Sequence, residues 1–131
     1  MKKQYIFWLI IVVFAIVSCT KHPFDHRNKY LGKWGFEVEY VEINTDSVGY
    51  YYYDKWAYIG EIKYGKKDDE ILIKYSDNNS VTLLVDKNGI LSGFPNHYSS
   101  GKFESKNKID LNLKISGGLG GGISHRIKGE K

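Results

Sequence analysis

Apolar and polar residues alternate with a period of two along most of this chain. The clearest run covers residues 109–115, where isoleucine and leucine occupy every odd position and polar residues every even one. A second run places Trp34, Phe36 and Tyr40 on one face. Such alternation is typical of strands with one buried face. Alanine, a strong helix former, occurs only at positions 15 and 57, so we expect β-structure rather than helix.

Turn-forming clusters divide the chain into about eight short strands. The pair Asn88-Gly89 favours a tight hairpin because both residue types tolerate positive φ. Asp54-Lys55 suggests a break within the long segment 50–64. Strands are predicted at residues 34–41, 50–64, 71–75, 81–85, 90–94, 98–104, 109–115 and 123–128.

The absence of crossover helices predicts antiparallel neighbours and therefore an up-and-down meander. Closing the meander into a small barrel removes its exposed edges, so we expect a closed or partly open barrel, with a two-sheet β-sandwich as the alternative. An eight-stranded barrel is either filled by its own side chains or holds one small ligand. The many large aromatic side chains expected to point inward favour a barrel that is filled by its own side chains. The candidates for ligand lining or core are Trp34, Phe36, Tyr40, Trp56, Tyr58 and Tyr64.

The N-terminus has the layout of a secretory signal. Lys2 and Lys3 precede an apolar run over residues 5–17, and the small residue Ser18 precedes Cys19. The run is shorter than the roughly 20 residues that a membrane-spanning helix needs. We therefore expect an N-terminal signal helix, residues 1–18, that is removed from the mature chain.

The residues around the predicted cleavage point resemble a bacterial lipoprotein lipobox. Ile16-Val17-Ser18-Cys19 ends in the only cysteine of the chain, so an internal disulfide is excluded. The resemblance implies that Cys19 becomes the new N-terminus and carries a diacylglycerol and an N-acyl chain such as palmitate. Two or three acyl chains anchor a protein stably, whereas one binds only marginally.

This anchor defines the domain plan and the expected location. Residues 19–30 are expected to form a lipidated tether, and residues 31–131 the β-domain. Thr20 follows the cysteine in place of the aspartate that is associated with inner-membrane retention in enterobacterial lipoproteins, so the resemblance implies the outer membrane, facing the periplasm. Surface-exposed lipoproteins of Bacteroidota often carry a lysine and acidic residues just after the cysteine. Here Lys21 is followed by His22-Pro23, so the sequence does not decide whether the protein is displayed on the cell surface.

A second resemblance concerns the first strand. Gly32-Lys33-Trp34 resembles the Gly-x-Trp motif of lipocalins, and residues 30–131 are similar to small lipocalin-like lipoproteins of Bacteroidota. The resemblance implies that Trp34 plugs one end of the barrel and that Arg126 covers it. The domain is much shorter than a ligand-carrying lipocalin.

Charge and motifs exclude several function classes. The formal net charge is +4 and falls to +2 without Lys2 and Lys3, and no basic block of nucleic-acid-binding size is present. His22 and His26 flank Pro23 without a third nearby ligand, so we expect no metal site. No catalytic arrangement or cofactor motif is found, and we expect no enzyme.

Two functions remain open. One is a non-enzymatic envelope lipoprotein whose lipocalin-like domain binds a small apolar ligand. The other is a structural, protein-interaction or inhibitor-like lipoprotein with a filled core and an envelope protein as its partner. Residues 50–53, four consecutive tyrosines, either form an exposed aromatic surface or contribute two rings to the core, and the second arrangement is favoured.

Overall fold

The computed structural model describes residues 24–44, 50–117 and 121–131. Within them the chain is all-β, apart from the short 3-10 helix His26–Tyr30, as predicted. The predicted signal helix and Cys19 lie outside the described residues. The strands are β1 Gly32–Asn44, β2 Tyr50–Tyr64, β3 Glu70–Lys74, β4 Ser80–Val85, β5 Leu91–Ser92, β6 Ser100–Ser105, β7 Lys108–Lys114 and β8 Gly122–Glu130.

The eight strands form one antiparallel sheet rather than the two sheets of a sandwich. Their order is β5-β4-β3-β2-β1-β8-β7-β6, so each strand lies beside its sequence neighbours and β8 returns to β1. The two outer strands approach each other: Ile90 bridges Lys102, and the Phe103 N–H donates to the Gly89 carbonyl over 2.8 Å. The sheet is therefore a nearly closed up-and-down barrel.

The predicted alternation places the core correctly. In β4 and β7 every second side chain is buried, and Ile71, Ile73 and Leu111 have no or almost no exposed surface. The predicted break in β2 is wrong, because Asp54 and Lys55 stay paired with Tyr40 and Glu39 of β1. Continuous pairing to one neighbour is sufficient to hold charged residues in an extended strand when their side chains reach solvent.

The turn between β4 and β5 contains a glycine, Gly89, that allows the two outer strands to approach each other. Gly89 has φ 83°, whereas Asn88 does not adopt positive φ. A side chain at Gly89 would contact the Tyr30 hydroxyl at 2.7 Å and Phe103 Cβ at 3.0 Å. The missing Cβ therefore lets the β4–β5 turn approach β6 and the 3-10 helix.

The segment 19–30, predicted as a tether, is described from residue 24. His26–Tyr30 packs on the barrel, with Arg27 and Tyr30 buried, while Phe24 is fully exposed. The Asp25 side chain caps the helix by accepting from the Arg27 N–H at 2.9 Å. The packed domain thus includes residues that lack any strand periodicity.

Candidate functional site

The 3-10 helix covers one end of the barrel, which we call the capped end. The indole N–H of Trp34 donates to the Tyr30 carbonyl over 2.7 Å, and the Tyr30 ring stacks on Phe103 with centroids 3.8 Å apart. Trp34 is therefore a structural plug with little exposed surface. Arg126, expected to cover Trp34, instead faces solvent on the outside of β8, so that expectation is wrong.

A different arginine holds the capped end together. Arg27 is 4% exposed, and its Nε donates to both carboxylate oxygens of Asp25 at 2.9 and 3.0 Å. Its Nη1 donates to the carbonyls of Lys67 and Glu70 at 3.2 and 2.8 Å. The guanidinium carbon lies 4.5 Å from the Tyr64 ring centroid. The hydrogen bonds with Arg27 hold the pKa of Asp25 at about 2.

A second polar pair lies at the opposite end, which we call the far end. Nδ1 of His125 and the hydroxyl of Tyr75 are 2.9 Å apart, and both side chains are buried. The rings of Tyr40 and Trp56 flank the imidazole, with centroids at 5.6 and 6.2 Å. Burial lowers the pKa of His125 and raises the pKa of Tyr75 to about 12. Both groups are therefore neutral near pH 7.

The six predicted lining residues do not form one site. Trp34 and Phe36 are core, and Tyr64 lies at the capped end against Arg27. Tyr40, Trp56 and Tyr58 are half-buried. Tyr40 and Trp56 both flank His125 at the far end, whereas Tyr58 lies opposite Phe36. Trp34 and Phe36 form a separate pair in the core, with ring centroids 6.4 Å apart.

Above the far end, β1 and β2 extend as a hairpin, residues 40–44 and 50–60, which we call the extension. β3 pairs with β2 only at Glu61–Tyr64, so the extension rises past β3. Tyr50, Tyr51, Tyr52 and Tyr53 are all exposed, by 46 to 62%. The favoured interpretation that two of these rings are core is wrong. The aromatic surface of the chain is a projecting hairpin.

The inner face of the extension is aromatic and acidic. Register places Tyr40 opposite Asp54 and Glu42 opposite Tyr52, on the same side as the inward Trp56. The Tyr40 hydroxyl donates to a Glu42 carboxylate oxygen over 2.8 Å, which raises the pKa of Tyr40. No lysine or arginine occupies the even-numbered positions of 40–44 and 50–58, which form this face.

On the outer face, the lysine of the extension lies beside two glutamates of β1. Lys55 Nζ lies 3.1 Å from Glu37 and 3.9 Å from Glu39. Glu37 and Glu39 thus share one cation. A groove of about 560 Å³ also lies on this face and is lined in part by Ala57 and the 78% exposed Ile59.

The described ranges contain neither a metal-binding cluster nor a membrane-spanning helix. Residues 24–44, 50–117 and 121–131 contain no group of three or more His, Cys, Asp or Glu placed to hold a metal. His26 instead uses Nε2 at 2.8 Å from the Val85 carbonyl, and His22 lies outside these ranges. Over the same residues, no helix has the length and apolarity needed to cross a membrane.

Sequence reasoning missed Asp25 and Arg27 and did not pair Tyr75 with His125. Both members of the second pair stood at inward positions of predicted strands, and a polar group in an apolar stripe is the signal that predicts a buried partner. Asp25 and Arg27 carried no comparable signal, since residues 24–30 are aperiodic.

Comparison with known proteins gave no match. No protein-family model fits the sequence, and neither a curated protein nor a solved structure is significantly similar to it. The class that the geometry defines is a small, nearly closed antiparallel barrel with a projecting aromatic hairpin.

Proposed function

We propose that this chain is a non-enzymatic lipoprotein of the bacterial envelope that binds a protein partner through the extension at its far end. The observation that carries the proposal is the exposure of all four tyrosines on a hairpin that rises past β3. Exposed, contiguous aromatic residues mark interaction sites more often than ordinary surface. The lipobox at Cys19 supplies the anchor, and the capped barrel with Trp34 supports the lipocalin-like resemblance.

The described part of the tether and the extension lie at opposite ends of the barrel, which fits an anchor at one end and a binding surface at the other. The chain leaves the domain at Phe24 beside the capped end, and residues 19–24 span at most about 20 Å when extended. β1 has 13 residues, which correspond to about 43 Å of strand. With the capped end towards the bilayer, the extension points away from the membrane. In the outer membrane, the favoured location, it would face the periplasm.

The filled barrel favours a protein partner over a small apolar ligand. Trp34, Phe36, Ile62, Leu83 and Ile127 each retain 1% or less of their surface between the two ends. Native mass spectrometry of the full lipoprotein in detergent distinguishes the two functions. A bare protein mass supports the partner, and a small molecule released on denaturation supports the ligand.

Crosslinking in intact cells tests the partner directly. A photoreactive amino acid at Tyr51 or Tyr53 should give one discrete adduct on irradiation, whereas the same group at Tyr98, 40% exposed on another part of the barrel, should not. Adducts of equal yield at all three positions, or none at Tyr51 and Tyr53, would contradict the proposal.

The anchor has its own test. Metabolic labelling with a palmitate analogue should label the wild-type chain and not the Cys19→Ala variant, which should also leave the membrane fraction. Equal labelling of both would exclude lipidation at Cys19.

A further inference from the structure

One edge of the extension has no strand beside it. β2 pairs with β1 along residues 50–62, yet with β3 only along Glu61–Tyr64. Among the described residues, 50–60 therefore carry backbone N–H and C=O groups on one side without a paired strand. Such an edge is a template for another extended chain.

The end of β3 explains why this edge is open. A Cβ at Gly60 would lie well inside van der Waals contact with the Lys74 carbonyl oxygen, so the two backbones touch where pairing stops. Directly afterwards the chain turns back, with the Tyr75 and Ser76 N–H groups both directed at the Asn79 carbonyl. β3 therefore cannot continue along β2, and the edge is left free by the fold itself.

The charged side chains near the free edge of β2 indicate which kind of chain binds there. A strand added to β2 would place half of its side chains beside the inner face, next to Asp54 and one strand away from Glu42. Asp77 lies close by, since its carboxylate accepts from the Tyr58 hydroxyl at 3.3 Å. With no lysine or arginine on this face, basic side chains at alternating positions are complementary to it. The exposed rings of Tyr50 and Tyr52 add cation–π contacts.

A second copy of this chain fits the edge poorly. Two identical antiparallel edges pair around a two-fold axis, and the register with the longest overlap of residues 50–60 sets Lys55 opposite Lys55 of the other copy. Like charges directly opposite each other destabilise a sheet, and charged residues on an edge discourage self-association.

We infer that an extended segment of a partner protein, with basic residues at alternating positions, adds to β2 along residues 50–60. This inference rests on the proposed partner-binding function and specifies its chemistry. Backbone hydrogen bonds to β2 align the partner segment, and the acidic inner face of the extension favours segments with basic residues.

The test uses the full lipidated chain in detergent micelles and a labelled ten-residue peptide of alternating lysine and threonine. We expect binding by fluorescence anisotropy and slowed hydrogen exchange confined to residues 50–60. A peptide of the same sequence with N-methylated alternate amides should not bind. Absence of binding by the unmodified peptide, or equal binding by the methylated one, would overturn strand addition.

Variants test the charge selection. Asp54→Lys should weaken binding about tenfold or more, with a smaller loss for Asp54→Asn, whereas Glu104→Lys, a matched change on exposed β6, should not. Thermal unfolding checks that each variant is folded. Equal affinities for the Asp54 and Glu104 variants would overturn the acidic selection. If hairpin crosslinks persist while the peptide fails, this inference falls and the proposed function stands.

Discussion

The hydroxyl of Tyr75 lies 2.9 Å from Nδ1 of His125, 50 positions further along the chain. Tyr75 follows β3 and His125 lies on β8, and β1 and β2 separate these strands in the sheet. The contact therefore crosses the barrel interior instead of joining adjacent strands. It closes the far end as Trp34 and Tyr30 close the capped end.

A double-mutant cycle measures this contact. His125→Phe leaves the buried Tyr75 hydroxyl without its partner, and we expect a loss of about 1–3 kcal/mol in the free energy of unfolding from urea denaturation. Adding Tyr75→Phe removes both polar groups, so the double variant should be more stable than the sum of the single losses predicts. Strict additivity would show that the two side chains do not interact.

Burial of His125 predicts a pH dependence. Its pKa in the folded chain is lowered below the ordinary 6.5. Stability from the neutral imidazole is therefore fully present above pH 6.5 and is lost as the pH falls below that value towards the folded pKa. Wild-type protein should lose more unfolding free energy than His125→Phe between pH 7.5 and 5. Parallel losses in the two proteins would assign the dependence to other groups.

The buried guanidinium of Arg27 is expected to stabilise the capped end. Arg27→Leu removes the guanidinium donors of Asp25 and of the Lys67 and Glu70 carbonyls, which keep only backbone N–H donors. Breaking such a buried pair costs about 3 kcal/mol or more. Because the pKa of Asp25 is lowered from 3.8 to about 2, the contribution of the pair is present above pH 3.8 and is lost as the pH falls to 2. The difference between wild type and variant should therefore shrink in acid. If the difference in unfolding free energy did not change with pH, the ion pair would not be the cause of the stability loss.

Trp34 is expected to matter through its hydrogen bond as well as its volume. Trp34→Phe leaves the Tyr30 carbonyl without the indole donor and opens a small cavity, so we expect a loss of about 2–4 kcal/mol. Trp56→Phe is the control, because Trp56 is only half-buried and should cost less than about 1 kcal/mol. Similar losses for both would mean that the indole hydrogen bond contributes little.

Gly60 should not tolerate a side chain. Its Cβ would collide with the Lys74 carbonyl oxygen and contact the Phe36 ring at 3.0 Å, so Gly60→Ala should cost about 1–3 kcal/mol or more. Gly35→Ala is the matched change within β1, where the nearest atom lies at 3.8 Å, and it should be nearly neutral. Chemical denaturation of both variants checks the contrast. A neutral Gly60→Ala would show that β3 moves away easily.

The period-two pattern predicted the strands because one face of each strand must be buried. Leu83, Leu111 and Ile127 lie where alternation placed them. The 3-10 helix escaped prediction because one turn of helix has no usable periodicity, and it is held by tertiary contacts of Arg27 and Tyr30 rather than by propensity.

The candidate site was predicted only in part. Tyr40, Trp56 and Tyr58 were correctly placed on inward faces, yet alternation cannot show where a neighbouring strand stops. Whether Tyr50 and Tyr52 enter a core or stand in solvent depends on β3 ending level with Glu61. That length difference arises from the turn after Tyr75, and no pattern within residues 50–64 records it.

The pairing of β1 with β8 also sets a time order for folding. β1 is synthesised first among the strands, and one of its edges stays without its native neighbour until β8 emerges. Contacts of such long sequence separation close slowly, because the loop entropy is lost before the pairing is gained. The exposed edge of β1 is therefore the stretch most in need of protection while the chain is incomplete.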